Sequence, residues 1–425
     1  HWSVQRLKTI ATINDEALPE DTDPRKEFFY VEISSVDPNK GIIAKEELTF
    51  QKAPSRARRI VRDGDVIVST VRTYLRAISE IREPEANLIV STGFAVVRPG
   101  SQLEKRFGAY ALRAPYFVDR VVSESVGVSF PAINSSGIGC LPIALPSKPE
   151  QRAIIAFLDR KTAKIDALVA KKERLIELLE ERRASLIIRT VTEGLSPDKP
   201  SKDSGVAWLG QMPGDWELRS LGRLLTSIEQ GWSPTAEGRE ADSSEWAVTK
   251  LNAVSHGNFN DREHKALPAD LVPIPALEIK PGDVLLTRSN TPKFVGDACF
   301  VTNTRQHLMF SDLIYRLTVA TSAIDARFLV YWLLSQIGRS QIVADARGSS
   351  LSMVKISKGH IRSWLVLVPP VDEQLAIVEF LDCELDRIGG LTRKIGKAIA
   401  YLNELRASLI SSTVTGKIDV RGEAS

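Results

Sequence analysis

The stretch Glu150-Gln151-Arg152-Ala153-Ile154-Ile155-Ala156-Phe157-Leu158-Asp159 decides the fold, because the chain contains its landmarks twice. The second copy begins at Glu373-Gln374 and continues to Phe380-Leu381-Asp382, at a constant offset of 223 residues. The two copies run without a gap to Thr-Val-Thr at 190–192 and 413–415. A repeat of this length indicates two copies of one structural element.

Apolar residues recur every seven positions in the repeat, with a complementary row between them. In the second copy these residues are Ile377, Leu381, Ile388, Leu391, Ile395, Leu402, Leu405 and Leu409. In the first copy they are Ile154, Leu158, Ile165, Leu168, Leu175, Leu179 and Leu186. A sustained a/d heptad pattern is typical of a coiled coil. We therefore predict long helices at 149–193 and 371–415 that pair as an antiparallel coiled coil.

The first copy also carries an additional apolar row at Ile155, Val169 and Ile176. Lys172 interrupts its main seam, so the two helices are not equivalent surfaces. The additional row is a candidate contact either for the segment before the helix or for a partner protein. The sequence leaves both alternatives open.

Composition is that of an ordinary globular protein, with 43% hydrophobic and 26% charged residues and a net charge of +3. The three cysteines are far apart and have no metal-binding spacing, which favours a reducing, cytoplasmic location. No apolar run reaches the length of a membrane span, so we expect no membrane association.

The segments around the helices form a second, weaker repeat. Trp216-x-Leu218-x-x-Leu221 matches Trp2-x-Val4-x-x-Leu7, and Gly282-Asp283-Val284 matches Gly64-Asp65-Val66. We predict module one at 1–148, a Pro/Ser-rich linker at 194–205, module two at 206–370 and a C-terminal tail at 416–425. In module one, strands are predicted at 28–33, 66–70, 88–97 and 138–145, with a helix at 106–112. The predicted fold class is α+β, with two similar α/β modules separated by the two paired helices in a pseudo-two-fold arrangement.

The modules share framework positions but differ in their loops, as expected of two domains that recognise different targets. The segment 51–76 contains seven basic and two acidic residues, and this excess of positive charge favours DNA as the ligand. Arginine suits guanine and asparagine suits adenine, whereas loop hydroxyls suit phosphate. The candidate DNA-binding residues are Arg56, Arg58, Arg59, Arg72, Thr73, Tyr74, Arg76 and Ser129 in module one, and Lys250, Asn252, His256, Asn258, Arg262, Arg288, Ser289, Asn290, Lys293, Arg347, Ser349, Ser350 and Lys355 in module two.

Catalytic motifs are mostly absent from the sequence. Gly390 to Gly396-Lys397 fails the P-loop pattern, and Val368-Pro369-Pro370-Val371 lacks the polar and aromatic members of an amino-methyltransferase motif. Asp270 with Glu278-Ile279-Lys280 superficially resembles a metal-nuclease set but leads straight into a Pro-Gly turn. We therefore predict no catalytic residue and no metal site in this chain.

These motifs resemble the specificity subunit of type I restriction–modification enzymes. The module-start motif is Trp208-Leu209-Gly210-x-x-Pro213-x-x-Trp216, whose first copy is cut short at His1. The helix-start motif is Pro369-Pro370-x-Asp372-Glu373-Gln374, and its first copy departs at Pro146-Ser147-Lys148-Pro149, where the double proline is split.

The resemblance implies that each module is a target recognition domain reading one half of a split sequence in double-stranded DNA. It implies that the coiled coil sets the spacer and binds two methyltransferase subunits, which carry S-adenosylmethionine and methylate adenine N6. A motor–nuclease subunit would supply the reactions that use ATP and Mg, so no cofactor is expected in this chain. Two other hypotheses stay open: a self-contained methyltransferase or nuclease, whose motifs are missing, and a non-specific assembly scaffold.

Overall fold

The computed structural model describes residues 2–127, 130–196, 198–348 and 353–420. Its contacts divide the chain into two compact units. One unit contains the residues up to Arg174 together with those from Lys394 onward, and the other is Leu175–Arg393. Each unit therefore combines one predicted module with parts of both long helices.

Strands and helices are numbered along the chain. Module one and the first long helix contain β1 (Ser3–Arg6), α1 (Leu7–Ile10), β2 (Ala11–Ile13), β3 (Glu27–Val31), β4 (Val36–Asp37), β5 (Gly41–Ile42), β6 (Glu46–Thr49), β7 (Ala57–Ile60), β8 (Val66–Ser69), β9 (Ile78–Glu80), β10 (Leu88–Ser91), β11 (Phe94–Pro99), α2 (Lys105–Arg113), α3 (Pro115–Ser123), α4 (Ser135–Cys140), β12 (Pro142–Leu145) and α5 (Lys148–Glu193).

The remaining elements belong to module two and the second long helix. They are β13 (Ser201–Asp203), β14 (Gln211–Pro213), β15 (Glu217–Ser220), β16 (Leu225–Gln230), β17 (Ala247–Thr249), β18 (Val254–Ser255), β19 (Asn258–Phe259), β20 (His264–Ala266), β21 (Val284–Thr287), β22 (Ser289–Asn290), β23 (Ala298–Phe300), β24 (Leu308–Met309), β25 (Ile314–Val319), α6 (Ala326–Leu334), α7 (Gln336–Asp345), β26 (Val354–Lys355), α8 (Lys358–Ser363), β27 (Leu365–Val368) and α9 (Val371–Val414).

Both modules use the same sheet order. Module one has an antiparallel sheet β2-β11-β8-β9 and a mixed sheet β6-β3-β10-β7, in which β3 and β10 are parallel. Module two has the corresponding sheets β16-β25-β21-β23 and β20-β17-β24, in which β17 and β24 are parallel. Among the described residues of module two, an isolated bridge between Glu278 and Met309 stands where β7 pairs in module one. The predicted repeat is therefore a repeat of topology.

The last strand of each module pairs with a strand near the start of the same module. In module one β1 pairs antiparallel with β12, and in module two β15 pairs antiparallel with β27. The two ends of a module thus lie side by side, immediately before a long helix begins. In each module this pair therefore holds the two ends of the chain together next to the long helix that follows.

Several sequence predictions are wrong in detail. The segment predicted as one strand at 138–145 is α4 followed by β12, because the Asn134 side chain caps α4 by accepting a 2.6 Å hydrogen bond from the Gly137 amide. The predicted strand at 88–97 is two strands, β10 and β11, which belong to different sheets. The predicted linker at 194–205 contains β13, which pairs with β14. The predicted strands at 28–33 and 66–70 and the helix at 106–112 correspond to β3, β8 and α2.

The long helices run antiparallel, as predicted. In the first unit the start of α5 and the end of α9 share a core that includes Leu158 and Ile410, and Asp166 accepts a 2.8 Å hydrogen bond from Arg406. In the second unit the end of α5 and the start of α9 share a core that includes Val191 and Leu381. The helix bounds differ from the predicted ones by one residue at two of the four ends.

The predicted seam is buried along only one of its two rows. Every a-position residue of the seam, from Leu158 to Leu409, is buried or half-buried. At the d positions, only Ile154 and Ile377 are buried, and both lie where a module covers the helix. The other d-position leucines are 43–55% exposed: Leu168, Leu175, Leu391 and Leu405. Of the additional row, Ile155 packs on the core of the first unit, whereas Val169 and Ile176 are half-buried.

A fully buried glutamine joins each module to its long helix. In module one, the Gln151 side chain accepts a hydrogen bond from the Glu104 amide at 2.8 Å and donates at 3.0 Å to the carbonyls of Gln102 and Pro146. All of its partners are backbone groups. The contact therefore fixes the path of the chain and does not depend on which side chains the module carries.

Gln374 makes the corresponding contacts in the second unit. It accepts from the Asp325 amide at 2.7 Å and donates to the carbonyls of Ala323 and Pro369 at 3.2 and 2.8 Å. The repeated Glu-Gln pair of the sequence is thus explained by one amide that satisfies three backbone groups next to a module.

An aspartate about two helical turns later in the repeat forms a second junction. Asp159 accepts hydrogen bonds from Arg106 and from the Tyr110 hydroxyl, the latter at 2.6 Å. Burial, with the neighbouring carboxylate, raises the pKa of Tyr110 from 10.0 to about 12. In the second unit Asp382 takes the same role toward Arg327 and Tyr331, and burial raises the pKa of Tyr331 as well.

A tryptophan at the start of module two lies between the ends of the two long helices. The Trp216 indole N–H donates to Glu373, in the first turn of α9, at 2.9 Å. Gly194 follows α5 with a φ of 78°, and a Cβ on it would lie 3.1 Å from the Trp216 ring. Glycine is favoured there both by the backbone and by the close approach of the ring.

Trp2 occupies the same position in module one. Its indole nitrogen lies 3.5 Å from Glu150, in the first turn of α5. A Cβ on Gly416, just beyond α9, would lie 3.4 Å from its ring. Each module therefore contacts the start of the helix that follows it and the end of the other long helix.

We predict that Gln374→Ala lowers the free energy of unfolding by about 2–4 kcal/mol, because it leaves three backbone groups without their partner. Urea denaturation followed by circular dichroism measures the change. Gln51→Ala, which removes an exposed amide, is the matched control and should shift stability by less than about 0.5 kcal/mol. Equal effects of the two variants would contradict the structural role of Gln374.

Tyr110→Phe should destabilise the protein by about 1.5–3 kcal/mol at pH 8, since it removes a hydrogen bond to a carboxylate. The folded state holds the phenolic proton more tightly than the unfolded chain, so the stabilisation is complete below pH 10.0 and is lost as the pH rises to about 12. Urea midpoints measured from pH 8 to 12 should therefore fall less steeply for the variant. Tyr401→Phe, at an exposed ring, should follow the wild-type curve.

Candidate nucleic-acid interface

The basic segment of module one begins on strand β7. Exposed Arg56 binds Glu32 at 2.9 Å, and the Arg58 guanidinium lies 4.4 Å from the centroid of the Phe50 ring. Arg59 is half-buried, and its Nε has no hydrogen-bond partner. All three side chains lie on or beside the edge strand of the mixed sheet. Arg58 and Arg59 are half-buried, which leaves Arg56 as the most exposed of the three.

A short turn after β8 holds the remaining candidates of module one. Thr73–Leu75 form a single 3₁₀ turn, flanked by Arg72 and Arg76 with φ values of 50° and 54°. Left-handed backbone at residues other than glycine costs about 1–3 kcal/mol each and is concentrated at functional sites. Buried Thr73 anchors the turn through a 2.8 Å hydrogen bond to Ser125. Tyr74, by contrast, is exposed.

The arginines on either side of this turn are held in different ways. Arg76 donates to Asp119 at 3.0 Å. The guanidinium carbon of Arg72 lies 4.9 Å from the centroid of the Phe130 ring, in a cation–π contact. Arg72 thus presents a positioned cation at the surface. We define the exposed end of module one formed by Val71–Arg76, Val126 and Phe130 as the tip.

Module two places six candidates at the corresponding turn. Strand β22 pairs with β26, which brings Arg288, Ser289 and Asn290 beside Lys355 and Arg347. Arg288 is half-buried, with Nη1 3.4 Å from the Asp312 carbonyl and 4.0 Å from its carboxylate. The sixth candidate, Lys293, is exposed at the end of the turn, with its ammonium 5.3 Å from the Phe294 ring.

Ser289 and Asn290 are less available than the sequence suggests. Ser289 is fully buried, and its hydroxyl donates to the Val354 carbonyl at 3.2 Å. Asn290 is half-buried and accepts a 2.8 Å hydrogen bond from the Thr291 amide. In this structure Ser289 therefore supports the turn, while the amide nitrogen of Asn290 is the group that could donate to a base.

A second group of candidates in module two surrounds the β18–β19 hairpin. His256 has a φ of 50°, and its amide donates to the buried Asp297 at 2.7 Å. Burial raises the pKa of Asp297, although the His256 amide opposes that shift. The His256 ring lies edge-on to Phe294 at 5.5 Å, next to Lys293. The hairpin and the β21–β22 turn thus form one continuous polar surface.

The other members of this group are also surface residues. Asn252, Asn258 and Arg262 are exposed. Lys250 is half-buried, with its ammonium 3.9 Å from Glu263. The remaining candidates, Ser129, Ser349 and Ser350, lie outside the described residues. The DNA-binding role of every residue in the set stays a prediction.

Sequence reasoning missed the apolar part of the tip of module one. Leu75, Val126 and Phe130 are large exposed side chains beside Arg72, yet none was a candidate. A possible signal was their position in loops rich in small and polar residues, where exposed apolar side chains are uncommon.

Among the described residues, no group of His, Cys, Asp or Glu is arranged to hold a metal ion. Glu278, of the superficial metal-nuclease set, accepts a 2.7 Å hydrogen bond from the His307 amide. No helix within the described ranges is long and apolar enough to span a membrane.

Comparison with known proteins finds a family match for module one and the first part of α5. Residues 1–178 match the sequence model described as "Type I restriction modification DNA specificity domain". The chain is 27% identical over 209 residues to the type I restriction enzyme EcoEI specificity subunit of Escherichia coli, a match that covers 49% of this chain and 35% of that protein. It is 22% identical over 341 residues to the EcoKI specificity subunit of Escherichia coli, covering 77% of this chain and 69% of that protein.

A solved structure described as the basis of "complex assembly" and "conformational transition of the type I R-M system" contains a chain with the same fold. The TM-score is 0.70 over 97% of both chains, at 22% identity. The family match over residues 1–178 and the similarity to two named specificity subunits agree with the internal repeat, and the solved structure shows the same fold over nearly the whole chain.

Proposed function

We propose that this chain is the DNA sequence-specificity subunit of a type I restriction–modification complex, in which each module reads one half of a bipartite target. One observation carries the proposal. The modules share a sheet topology, yet the turns after β8 and β21 present different surfaces in the same place. A conserved framework with two different reading surfaces is expected where each module recognises its own sequence.

The paired helices would set the unread spacer between the two half-sites. They would also bind two methyltransferase subunits, for which Leu168, Leu175, Leu391 and Leu405 are the candidate contacts. These leucines are exposed in the described structure, and rows of exposed leucine on a helix commonly mark protein interfaces.

Chemistry would reside on the partners. We propose that the methyltransferase subunits carry S-adenosylmethionine and methylate adenine, and that a motor–nuclease subunit uses ATP and Mg. The chain itself would be non-catalytic and located in the cytoplasm. Methyl transfer by the purified chain alone would instead revive a self-contained enzyme, and binding without sequence preference would favour a scaffold.

Exchange of residues 216–368 with those of a relative should change one half of the methylated site and leave the other half unchanged. The exchanged segment runs from Trp216 through the β15–β27 pair, so the junctions lie where the module closes on itself. Methylation-sensitive sequencing of host DNA carrying the complete system measures the outcome. If both halves changed, or neither did, the assignment of one module to one half would be wrong.

Arg72→Ala and Arg288→Ala should each weaken specific DNA binding by about 1–3 kcal/mol, with a smaller loss for non-specific DNA. Titration with target and scrambled duplexes at a fixed salt concentration separates the two effects. Lys26→Ala, which removes an exposed cation remote in sequence from both turns, is the control. An equal loss on every duplex would reassign these arginines to phosphate contact.

A further inference from the structure

We propose that the tip of module one inserts Tyr74 and Leu75 between neighbouring base pairs of its half-site and unstacks them. This inference rests on the proposed function and specifies how one module reads its DNA. The two side chains are 51% and 41% exposed, although both are large and mainly apolar. Side chains of this kind act as wedges when proteins kink a duplex.

The turn that carries the two residues is rigid. The Leu75 amide donates to the Arg72 carbonyl, and the Arg76 amide to the Thr73 carbonyl, both at 2.9 Å. The buried Thr73 hydroxyl and Ser125 fix the centre of the turn from below. A rigid turn presents Tyr74 and Leu75 without an ordering cost on binding, as insertion into a base stack requires.

The surroundings of the turn fit a duplex better than a protein partner. Val71, Val126 and Phe130 extend the apolar centre of the tip, and Arg72 is held over the Phe130 ring. Exposed Arg56 lies at the same end of the module. Its carbonyl accepts a hydrogen bond from the Thr92 amide, and the adjacent Gly93 carbonyl accepts one from the amide of Thr70, the residue that precedes the tip. An apolar centre with arginines at its rim matches bases flanked by phosphates.

The turn itself has a different composition in module two. Residues 288–293 are all described, and among them no large apolar side chain is exposed. The exposed and half-exposed groups there are polar or cationic, as in Arg288, Asn290 and Lys293. Module one would therefore read the deformability of a base step, whereas module two would read hydrogen-bonding edges.

The test uses the full chain co-purified with the modification subunits of its own system, and duplexes in which 2-aminopurine replaces each adenine of the half-site of module one in turn. We expect fluorescence to rise at one step on binding. The double variant Tyr74→Ala/Leu75→Ala should abolish that rise and weaken specific binding about tenfold, in line with base-stacking contributions. Ile43→Ala, which truncates an exposed apolar residue outside the tip, should change neither signal.

Replacing the thymines of the half-site by deoxyuridine distinguishes insertion from simple contact with thymine methyl groups. Insertion predicts nearly unchanged binding, whereas a tenfold loss on this DNA would overturn it. Two further outcomes would overturn the insertion but not the proposed function. One is specific binding without a fluorescence rise, and the other is a rise that persists in the double variant. If the wild-type complex showed no preference for its target over a scrambled duplex, the proposed function would fail and the insertion with it.

Discussion

The buried amide at the start of each long helix is the interaction on which the rest of the structure depends. Gln151 and Gln374 have no exposed surface, and each satisfies three backbone groups beside a module. A buried polar group is tolerated only when its hydrogen bonds are made, so the helix cannot rotate or slide relative to the module without a large penalty. The position of each module, and of the turn after β8 or β21 that it carries, is thereby fixed relative to the helix that follows it.

Because these contacts use backbone groups, the loops of a module can change without weakening its attachment. The Asp159 and Asp382 junctions do use side chains, but their arginine and tyrosine partners belong to α2 and α6, outside the turns after β8 and β21. The residues that attach a module to the long helices are therefore different from the candidate DNA-binding residues. This separation explains how two modules with the same framework can present an aromatic tip in one case and a polar surface in the other.

The sequence predicts the parts of this architecture that repeat. The heptad spacing and the constant offset were sufficient to predict two antiparallel helices and two related modules. Helix periodicity can be recognised from the sequence because it is a local property. The burial of the seam was not predictable in the same way: Ile154 and Ile377 are covered by modules, whereas Leu168 and Leu405 have the same heptad position and no such cover. Periodicity shows which residues share a face but not what covers it.

The DNA-binding residues stay a prediction, but the structure shows which of the candidate side chains are exposed. The turns after β8 and β21 contain two groups of the candidates. In the second group Ser289 points inward because of the short β22–β26 pairing, which no sequence pattern indicated. Leu75 and Phe130 show the opposite case, because they are exposed but were not among the candidates. Apolar residues are normally expected inside, so their exposure can be seen only once the fold is known.

The positions of Trp2 and Trp216 make the contacts of the molecule cyclic, although its chain is linear. Each module contacts the end of one long helix and the start of the other. In module two the polypeptide also connects these parts, whereas Gly416 and Trp2 meet only through space. In these contacts the two modules are equivalent. Their order along the polypeptide therefore does not determine how either module is attached to the long helices.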